Sequence, residues 1–187
     1  MMRTEMRFVA FGGQGIVLAG VIMGEAAITD GKNAVQSQSY GPESRGGAAK
    51  SEVIISDQEI DYPMVTQADC LVALSQPGYD KYVAEVKPGG TIIIDEDLVD
   101  AGEPPEGTAF YSLPFAKTAD KLGDRIVTNI VVLGSVCSIT EVVNKESLAK
   151  AVKANVPEKF MELNLKAFTE GYEIGQQASK QKTAGKK

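Results

Sequence analysis

The chain has 187 residues and a net charge of −6, with 43% hydrophobic and 24% charged residues. This composition is typical of one globular domain, and the acidic balance argues against general nucleic-acid binding. The lack of histidine excludes Ser-His and Cys-His catalytic pairs. No apolar segment is long enough for a signal peptide or a membrane span, so we expect a cytoplasmic protein that does not bind membranes.

The first third of the chain predicts a strand, a helix and a second strand. Arg7–Phe11 is a short apolar run that ends in glycines, and the next segment has apolar residues at helical spacing up to Gly31. Residues Asn33–Tyr40 alternate loosely, as a strand does. Together these segments predict a βαβ unit with a parallel pair of strands and a right-handed crossover.

The middle of the chain predicts four more elements. Ala48–Ser56 and Ala68–Ser75 are apolar runs of strand length. A short helix over Gly78–Val86 is expected to end at the turn Pro88–Gly90. Thr91–Asp95 then forms another buried strand.

The last third of the chain is mainly helical. A short strand at Ala109–Leu113 precedes a helix that ends near Gly123, and a buried helix begins with Asn129 near its N-cap. Two amphipathic helices follow, separated by Val156-Pro157. Their predicted core contacts are Leu148, Val152, Phe160, Leu163, Leu165 and Phe168.

The alternation of strands and helices predicts a three-layer α/β/α sandwich with a mostly parallel, Rossmann-like sheet. We expect a single α/β domain over residues 1–177, followed by a flexible basic tail over 178–187.

The two cysteines give no sign of a metal site. Cys70 and Cys137 are far apart in the sequence, each lies among apolar residues, and neither belongs to a C-x-x-C pair. We expect two buried, reduced thiols, and no zinc or iron–sulfur cluster in this chain alone.

A glycine-rich segment, "FGGQGIVLAG", lies between the first strand and the first helix. Gly13 and Gly15 match the dinucleotide fingerprint G-x-G-x-x-G, but Leu18 occupies the third glycine position. The next strand also ends in "SQSY", without the expected acidic residue. A tight turn without a ligand, a turn at an interface or shared cofactor site, and a degenerate nucleotide site all remain open.

A second special segment, "SYGPESRGG", follows the second strand. Pro42 fixes a turn, and Glu43 and Arg45 place a carboxylate and a guanidinium two residues apart. This loop could orient a polar partner or a phosphate-bearing ligand. It could equally be an exposed turn with a weak ion pair.

The two segments together resemble the gamma subunit of 2-oxoacid:ferredoxin oxidoreductases. "FGGQGIVLAG" and "SYGPESRGGAAKSEVIIS" are accompanied by similar blocks at "ADCLVALSQPGYDKY", "KPGGTIIID" and "TNIVVLGSV". The likeness extends from Arg7 to about Gly175 and implies a fold similar to domain III of pyruvate:ferredoxin oxidoreductase. "SYGPESRGG" is similar to versions found with 2-oxoglutarate or branched-chain substrates, because pyruvate versions more often have a second arginine where this chain has Ser44.

The resemblance implies a function in oxidative decarboxylation. A 2-oxoacid, first 2-oxoglutarate and next 2-oxoisovalerate or pyruvate, reacts with coenzyme A to give an acyl-CoA, carbon dioxide and reduced ferredoxin. It implies that thiamine diphosphate, Mg and the iron–sulfur clusters belong to alpha, beta and delta-type partner subunits, and that this chain binds none of them alone. We expect the isolated chain to be inactive, and its exposed partner surface would allow it to homodimerise.

The resemblance also implies a site built from the two special segments, which would help to bind coenzyme A, with no catalytic residue in this chain. Arg45 is the expected anion contact, and Glu43 orients it. The predicted site residues are Gly12, Gly13, Gln14, Gly15, Tyr40, Gly41, Pro42, Glu43, Ser44, Arg45, Gly46 and Gly47.

Two functions of other classes compete with this one. The first is a stand-alone nucleotide-binding oxidoreductase with a degenerate fingerprint. The second is a non-catalytic binding module that uses both loops only as an interface.

Overall fold

The computed structural model describes residues 2–40 and 48–184. The strands are β1 (Arg3–Phe11), β2 (Asn33–Tyr40), β3 (Ala48–Ser56), β4 (Ala68–Ala73), β5 (Val86–Asp95) and β6 (Ala109–Leu113). The helices are α1 (Ile16–Thr29), α2 (Gln76–Tyr82), α3 (Phe115–Leu122), α4 (Thr128–Thr140), α5 (Lys145–Asn155) and α6 (Met161–Ala184). Short 3₁₀ turns occur at Val83–Glu85, Arg125–Val127 and Glu158–Phe160.

The strands form one mixed sheet in the order β2-β3-β1-β4-β5-β6. Neighbours from β1 through β4 and β5 to β6 pair in parallel, whereas β3 is antiparallel to both β1 and β2. Five of the six strands therefore run in one direction, which confirms the prediction of a mostly parallel α/β sheet.

The predicted pairing of the first two strands is wrong. β1 and β2 run in the same direction, but β3 lies between them and pairs with both. The cause is the difference in burial between β2 and β3. Val53, Ile54 and Ile55 of β3 are buried, and a strand that is apolar on both faces belongs inside a sheet. The polar strand β2 occupies the edge.

One face of the sheet, here called the inner face, carries the larger core. Met6, Phe8, Val72 and Ile93 point from the strands into this core and are fully buried. Residues of α1, α3, α4, α5 and α6 belong to the same cluster. At about 25 cal/mol per Å² of apolar surface, this layer provides most of the hydrophobic stabilisation.

The opposite, outer face is covered by a thinner layer. Val9, Leu71, Ile92 and Ile94 form a smaller core with Tyr79 of α2. The helices thus lie on both faces of the sheet, as the predicted three-layer sandwich requires. Among the described residues, no helix has the length and apolar character needed to cross a membrane.

Helices α4 and α6 pack unusually closely because glycines lie where they cross. A Cβ atom added at Gly171 would lie 2.0 Å from the carbonyl oxygen of Val131, well inside contact distance. Ser135 Oγ donates a hydrogen bond to the Gly171 carbonyl oxygen at 2.6 Å. This backbone-to-backbone approach fixes α4, whose first turn lies beside the glycine-rich segment.

Several local expectations differ from the structure. The predicted turn at Pro88–Gly90 lies inside β5, where the ladder shifts register opposite Ala68 and Cys70. Phe160 is 39% exposed, so its predicted core role is wrong, whereas Leu148, Val152 and Phe168 are buried. Helix α6 continues to Ala184, so the boundary expected at residue 178 lies within a helix.

Candidate functional site

The glycine-rich segment forms a tight turn at the carboxyl edge of the sheet, between β1 and α1. Gly13 and Gly15 have φ angles of +99° and +72°, a region that glycine adopts without steric cost. The amide of Gln14 donates to the Phe11 carbonyl oxygen at 3.2 Å and closes the turn. In open α/β sheets, ligands gather at this edge.

Gln14 holds the turn to the sheet. Its side-chain Oε1 accepts a hydrogen bond from the amide of Phe11 at 2.6 Å. Its Nε2 donates to the carbonyl oxygen of Leu74, directly after β4, at 3.4 Å. Both the oxygen and the nitrogen of this side-chain amide form hydrogen bonds within the protein, so Gln14 fixes the position of the turn relative to β4.

Asn129 buttresses the same turn from α4. Its Nδ2 donates to the carbonyl oxygen of Gly15 at 3.1 Å, and Gly15 is the N-cap residue of α1. Asn129 lies near the N-cap of α4, as expected, although the N-cap residue itself is Val127. The side chain instead reaches across to another element, a contact that no local sequence pattern marks.

A cleft of about 270 Å³, here called the glycine-turn cleft, opens beside the turn. It is lined by Gly13, Gln14, Leu98, Ala116, Arg125, Ile126 and Thr128. Arg125 is exposed and gives the cleft a positive charge, and the neighbouring Ile126 is 70% exposed. A cation beside a bare apolar side chain suits an interface or an anionic ligand with an apolar portion.

Asp95 supports the part of the cleft wall that Ala116 forms. The carboxylate is fully buried at the end of β5. Its Oδ2 accepts from the Ala116 amide at 2.7 Å, and its Oδ1 accepts from the Asp97 amide at 2.9 Å. Burial raises the pKa of Asp95, against the lowering effect of these hydrogen bonds. Asp95 thereby fixes the start of α3 and the turn after β5.

The loop between β2 and β3 begins and ends next to the glycine turn. Phe11, the last residue of β1, pairs with Ala48, the first residue of β3. Tyr40, the last residue of β2, pairs with Ala49. Opposite residues in antiparallel strands have Cα atoms about 4.5–5.5 Å apart, so both ends of the loop lie within two strand spacings of the turn.

The predicted site is thus partly described. Gly12, Gly13, Gln14 and Gly15 lie together at the carboxyl edge, and Tyr40 is 63% exposed two strands away. The remaining predicted site residues, Gly41, Pro42, Glu43, Ser44, Arg45, Gly46 and Gly47, lie outside the described residues. Sequence reasoning did not place Leu98, Arg125 or Thr128 at this edge.

The carboxyl edge is electrostatically polarised. At its β6 end, a crevice of about 510 Å³ is lined by Glu96, Asp97 and Asp100, among other residues. At its β2 end, a smaller pocket contains Lys50 and Lys81. An anionic ligand that lies along this edge is therefore drawn toward the β2 end.

The cysteines offer no ligand set at this edge. Cys70 and Cys137 are both buried in the larger core, and burial raises the pKa of each thiol to about 12. In the part of the chain that is described, no group of three His, Cys, Asp or Glu side chains is suited to hold a metal ion.

Comparison with known proteins gives the same family over nearly the whole chain. The family model for pyruvate ferredoxin/flavodoxin oxidoreductase matches residues 5–174. The 2-oxoglutarate synthase subunit KorC of Methanocaldococcus jannaschii is 51% identical over 179 residues, which are 94% of this chain and 96% of that protein. KorC of Methanothermobacter marburgensis is 44% identical over 180 residues, 92% of this chain and 97% of that protein.

Solved structures agree. The gamma subunit of a keto/oxoacid ferredoxin oxidoreductase from Geobacter sulfurreducens has a TM-score of 0.81 and 52% identity, covering 92% of this chain and 98% of that one. A 2-oxoglutarate:ferredoxin oxidoreductase from Magnetococcus marinus has the same fold, with a TM-score of 0.87 and 22% identity, over 95% of this chain and 32% of that one. The chain therefore belongs to the pyruvate ferredoxin/flavodoxin oxidoreductase family.

Proposed function

We propose that this chain is the gamma subunit of a 2-oxoglutarate:ferredoxin oxidoreductase. The observation that carries the proposal is the 51% identity, over nearly the full length of both proteins, to a 2-oxoglutarate synthase subunit. The enzyme oxidises 2-oxoglutarate with coenzyme A. One 2-oxoglutarate, one coenzyme A and two oxidised ferredoxins give succinyl-CoA, carbon dioxide, a proton and two reduced ferredoxins.

The second candidate substrate is 2-oxoisovalerate. A ketoisovalerate oxidoreductase subunit, VorA of Methanothermobacter thermautotrophicus, is 31% identical over 173 residues. The 2-oxoglutarate synthase subunit of that same organism is 42% identical over 185 residues. The higher identity to the 2-oxoglutarate synthase subunit favours 2-oxoglutarate, because both proteins come from the same organism and differ in substrate.

The chain works beside partner subunits. The matched region is 36% of VorA and 32% of the Magnetococcus chain, so in those proteins the fold of this chain is one part of a longer chain. We assign thiamine diphosphate, Mg and the iron–sulfur clusters to alpha, beta and delta-type partners, with ferredoxin as the acceptor in the cytoplasm. The sequence supports this assignment, because Cys70 and Cys137 do not form a C-x-x-C pair.

The role of this chain is to help bind coenzyme A at the carboxyl edge. The glycine turn Gly12–Gly15 and the segment Tyr40–Gly47 form one side of the site, with Arg45 as an anion contact that Glu43 orients. The pairing of Phe11 with Ala48 supports the closeness of the two segments. No residue of this chain takes part in bond making or breaking.

The test is reconstitution of this chain with alpha, beta and delta-type subunits of the same enzyme. We expect a brown, iron-containing complex that reduces a dye only when 2-oxoglutarate and coenzyme A are both present. Omitting this chain should abolish the coenzyme A-dependent activity. A colourless monomer that binds NADH, or a higher kcat/KM for 2-oxoisovalerate or pyruvate, would contradict the proposal.

The role of Arg45 is tested in the same complex. Loss of a charged hydrogen bond to coenzyme A should raise the KM for coenzyme A about ten- to a hundredfold in Arg45→Ala. Lys150→Ala, on the exposed side of α5, is the control and should keep wild-type constants. Unchanged KM and kcat in Arg45→Ala would exclude the contact.

A further inference from the structure

The two edges of the sheet differ in how they are protected. At one edge, β6 has five residues, and Lys182 Nζ donates a hydrogen bond to its Phe110 carbonyl oxygen at 3.3 Å. At the other edge, β2 has eight residues, none of which is charged, proline or glycine. A short strand and a lysine side chain are common means of keeping an edge from pairing with another chain. The edge at β2 has neither of them.

The backbone of β2 is open to a further strand. Among residues 2–40 and 48–184, β2 pairs with β3 alone, in an unbroken antiparallel register. None of its eight residues is buried. The lysine that precedes it, Lys32, is bound to the connection between α4 and α5, where its Nζ donates to the Val142 carbonyl oxygen at 2.5 Å. A regular strand without a guarding charge is a template for pairing with another strand.

Helix α1 carries an apolar stripe along the same edge. Val17, Val21 and Ile28 follow one another at intervals of four and seven residues, so they lie on one side of α1. Gly24 lies on this side too, and a Cβ atom added there would lie 3.9 Å from the Cβ of Ala34 in β2. Val17 and Val21 are half-buried, and Ile28 is 62% exposed. The stripe therefore borders β2 and extends its open edge with apolar surface.

The distance between the strand edge and the helix fits a second copy of this chain. A Cβ atom at Gly20 would lie 2.1 Å from Ser51 Oγ of β3 and 3.4 Å from Cγ of Gln36 in β2, so α1 lies over the gap between these strands. If β2 pairs with β2 of a second copy, the two α1 helices lie two strand spacings apart, about 10 Å. Packed helices are about 8–10 Å apart. The arrangement that pairs the strands thus also brings the two stripes into contact.

We propose that two copies of this chain form a symmetric dimer, in which β2 pairs antiparallel with β2 and the two α1 helices pack across the two-fold axis. The six-stranded sheets of the two copies join into one. The axis is perpendicular to the sheet, so it reverses the strand direction and keeps both helices on the same face. Pairing over the full length of β2 places the axis between Gln36 and Ser37. Val21, which follows Gly20 in the helix, then meets Val21 of the second copy.

The contact is large enough for a stable dimer. The eight residues of β2 extend about 27 Å, and the sheet and one helix layer are about 20 Å high, so each copy contributes roughly 540 Å². The total of ~1,100 Å² exceeds the minimum of about 1,000 Å² for a specific interface. No like charges oppose each other, because β2 is uncharged and the one acidic residue of α1, Glu25, accepts from Asn155 Nδ2 at 2.5 Å.

The test is the mass of the full chain in solution, measured by sedimentation velocity over a range of concentrations. We expect a dimer in the wild type. Val21→Glu places two carboxylates at the axis and should raise the dissociation constant of the dimer at least about a hundredfold, and Ile28→Glu should also weaken the dimer. Lys150→Glu, exposed on α5, is the control and should dimerise as the wild type does. An unchanged circular dichroism spectrum shows that a monomeric variant is folded.

Mixing two variants tests the symmetry itself. Val21→Lys should be monomeric for the same reason as Val21→Glu, and an equimolar mixture of the two should dimerise again, because opposite charges then meet at the axis. A monomeric wild-type chain, or a Val21→Glu variant that dimerises like the wild type, would overturn the inference. Variants that dimerise normally but no longer bind the alpha, beta and delta-type subunits would also overturn it, since the edge would then receive a different chain. The proposed function is tested separately and does not depend on this dimer.

Discussion

Asn129 and Gly15 lie 114 positions apart in the sequence, yet the Asn129 side chain donates a hydrogen bond to the Gly15 carbonyl oxygen at 3.1 Å. The contact leaves no room for a side chain at Gly15, since a Cβ atom there would lie 2.6 Å from Asn129 Nδ2. The start of α1 and the start of α4 are thus locked together. The shape of the glycine turn depends on both.

A double-mutant cycle on these two residues tests the lock. Gly15→Ala combines the strain of a positive φ, about 1–2 kcal/mol, with the clash against Asn129. Asn129→Ala removes the clash, so the double variant should be at least about 1 kcal/mol more stable than the sum of the two single effects predicts. Urea unfolding measures each value, and strict additivity would show that the two side chains do not interact.

Gly13→Ala is the matched control for this cycle. Gly13 also has a positive φ, +99°, but a Cβ atom there would meet no atom within 4 Å. It should therefore show the backbone strain alone, and Asn129→Ala should not relieve it. If Gly13→Ala and Asn129→Ala showed a coupling energy as large as that at Gly15, the cause would be a general loosening of the turn and not the clash with Asn129.

The order of the strands illustrates what local patterns could not provide. The segments Ala48–Ser56 and Ala109–Leu113 predicted β3 and β6 correctly, and in β3 the buried residues are visible as an apolar run. The insertion of β3 between β1 and β2 depends on which strand is buried on both faces in the assembled sheet. That comparison involves three segments at once, and no single window of sequence contains it.

The candidate site likewise combines residues that the sequence predicts with residues that it does not. The glycines of Gly12–Gly15 were visible as a motif because a positive φ restricts the residue type. Lys50, Lys81 and Tyr82 come from β3 and α2 and are ordinary surface residue types in the sequence. Their meeting around one ring follows from the register of β3 and the placement of α2 on the outer face.

Because α4 and α6 cross so closely, we expect a single methyl group added at the crossing to destabilise the protein strongly. Gly171→Ala places a Cβ atom 2.0 Å from the Val131 carbonyl oxygen, and backbone cannot move aside as a flexible side chain can. We expect a loss of about 3 kcal/mol in the free energy of unfolding. Chemical denaturation followed by circular dichroism measures it.

Gly24→Ala, in the middle of α1, is the control for the effect of glycine on helix propensity. Its Cβ atom would lie 3.9 Å from the Cβ of Ala34, an ordinary contact. Since alanine favours a helix over glycine by about 1 kcal/mol, this variant should be more stable than wild type. A similar loss of stability in both variants would contradict the backbone clash at Gly171.

The buried thiols should react slowly in the native chain. The pKa of Cys70 and of Cys137 is raised to about 12 by burial, against ~8.5 for a free thiol, so the thiolate fraction at pH 8 is ~10³-fold lower than in the unfolded chain. Iodoacetamide labelling followed by mass spectrometry should modify both residues only after denaturation. Lys150→Cys, exposed on α5, should label at once under native conditions.

Asp30 connects the end of α1 to the start of α5 through hydrogen bonds, and we expect its contribution to stability to depend on pH. Its Oδ2 accepts from the Asn144 amide at 2.7 Å, and its Oδ1 accepts from Ser147 Oγ at 2.5 Å. Burial alone would raise the pKa of Asp30, but these hydrogen bonds and the charge of Lys32 outweigh it, so the pKa is lowered. A lowered folded-state pKa stabilises the protein above the unfolded value of about 3.9, and this contribution disappears as the pH falls through the folded value.

Asp30→Ala should therefore lower the free energy of unfolding by about 1–2 kcal/mol at pH 7. The difference from wild type should narrow as the pH falls below about 4, because the wild-type carboxyl becomes protonated. Asp61→Ala, at an exposed position, is the control and should stay within about 0.5 kcal/mol of wild type. A difference at Asp30 that is constant from pH 7 to pH 3 would show that the charge of the carboxylate is not what holds α1 to α5.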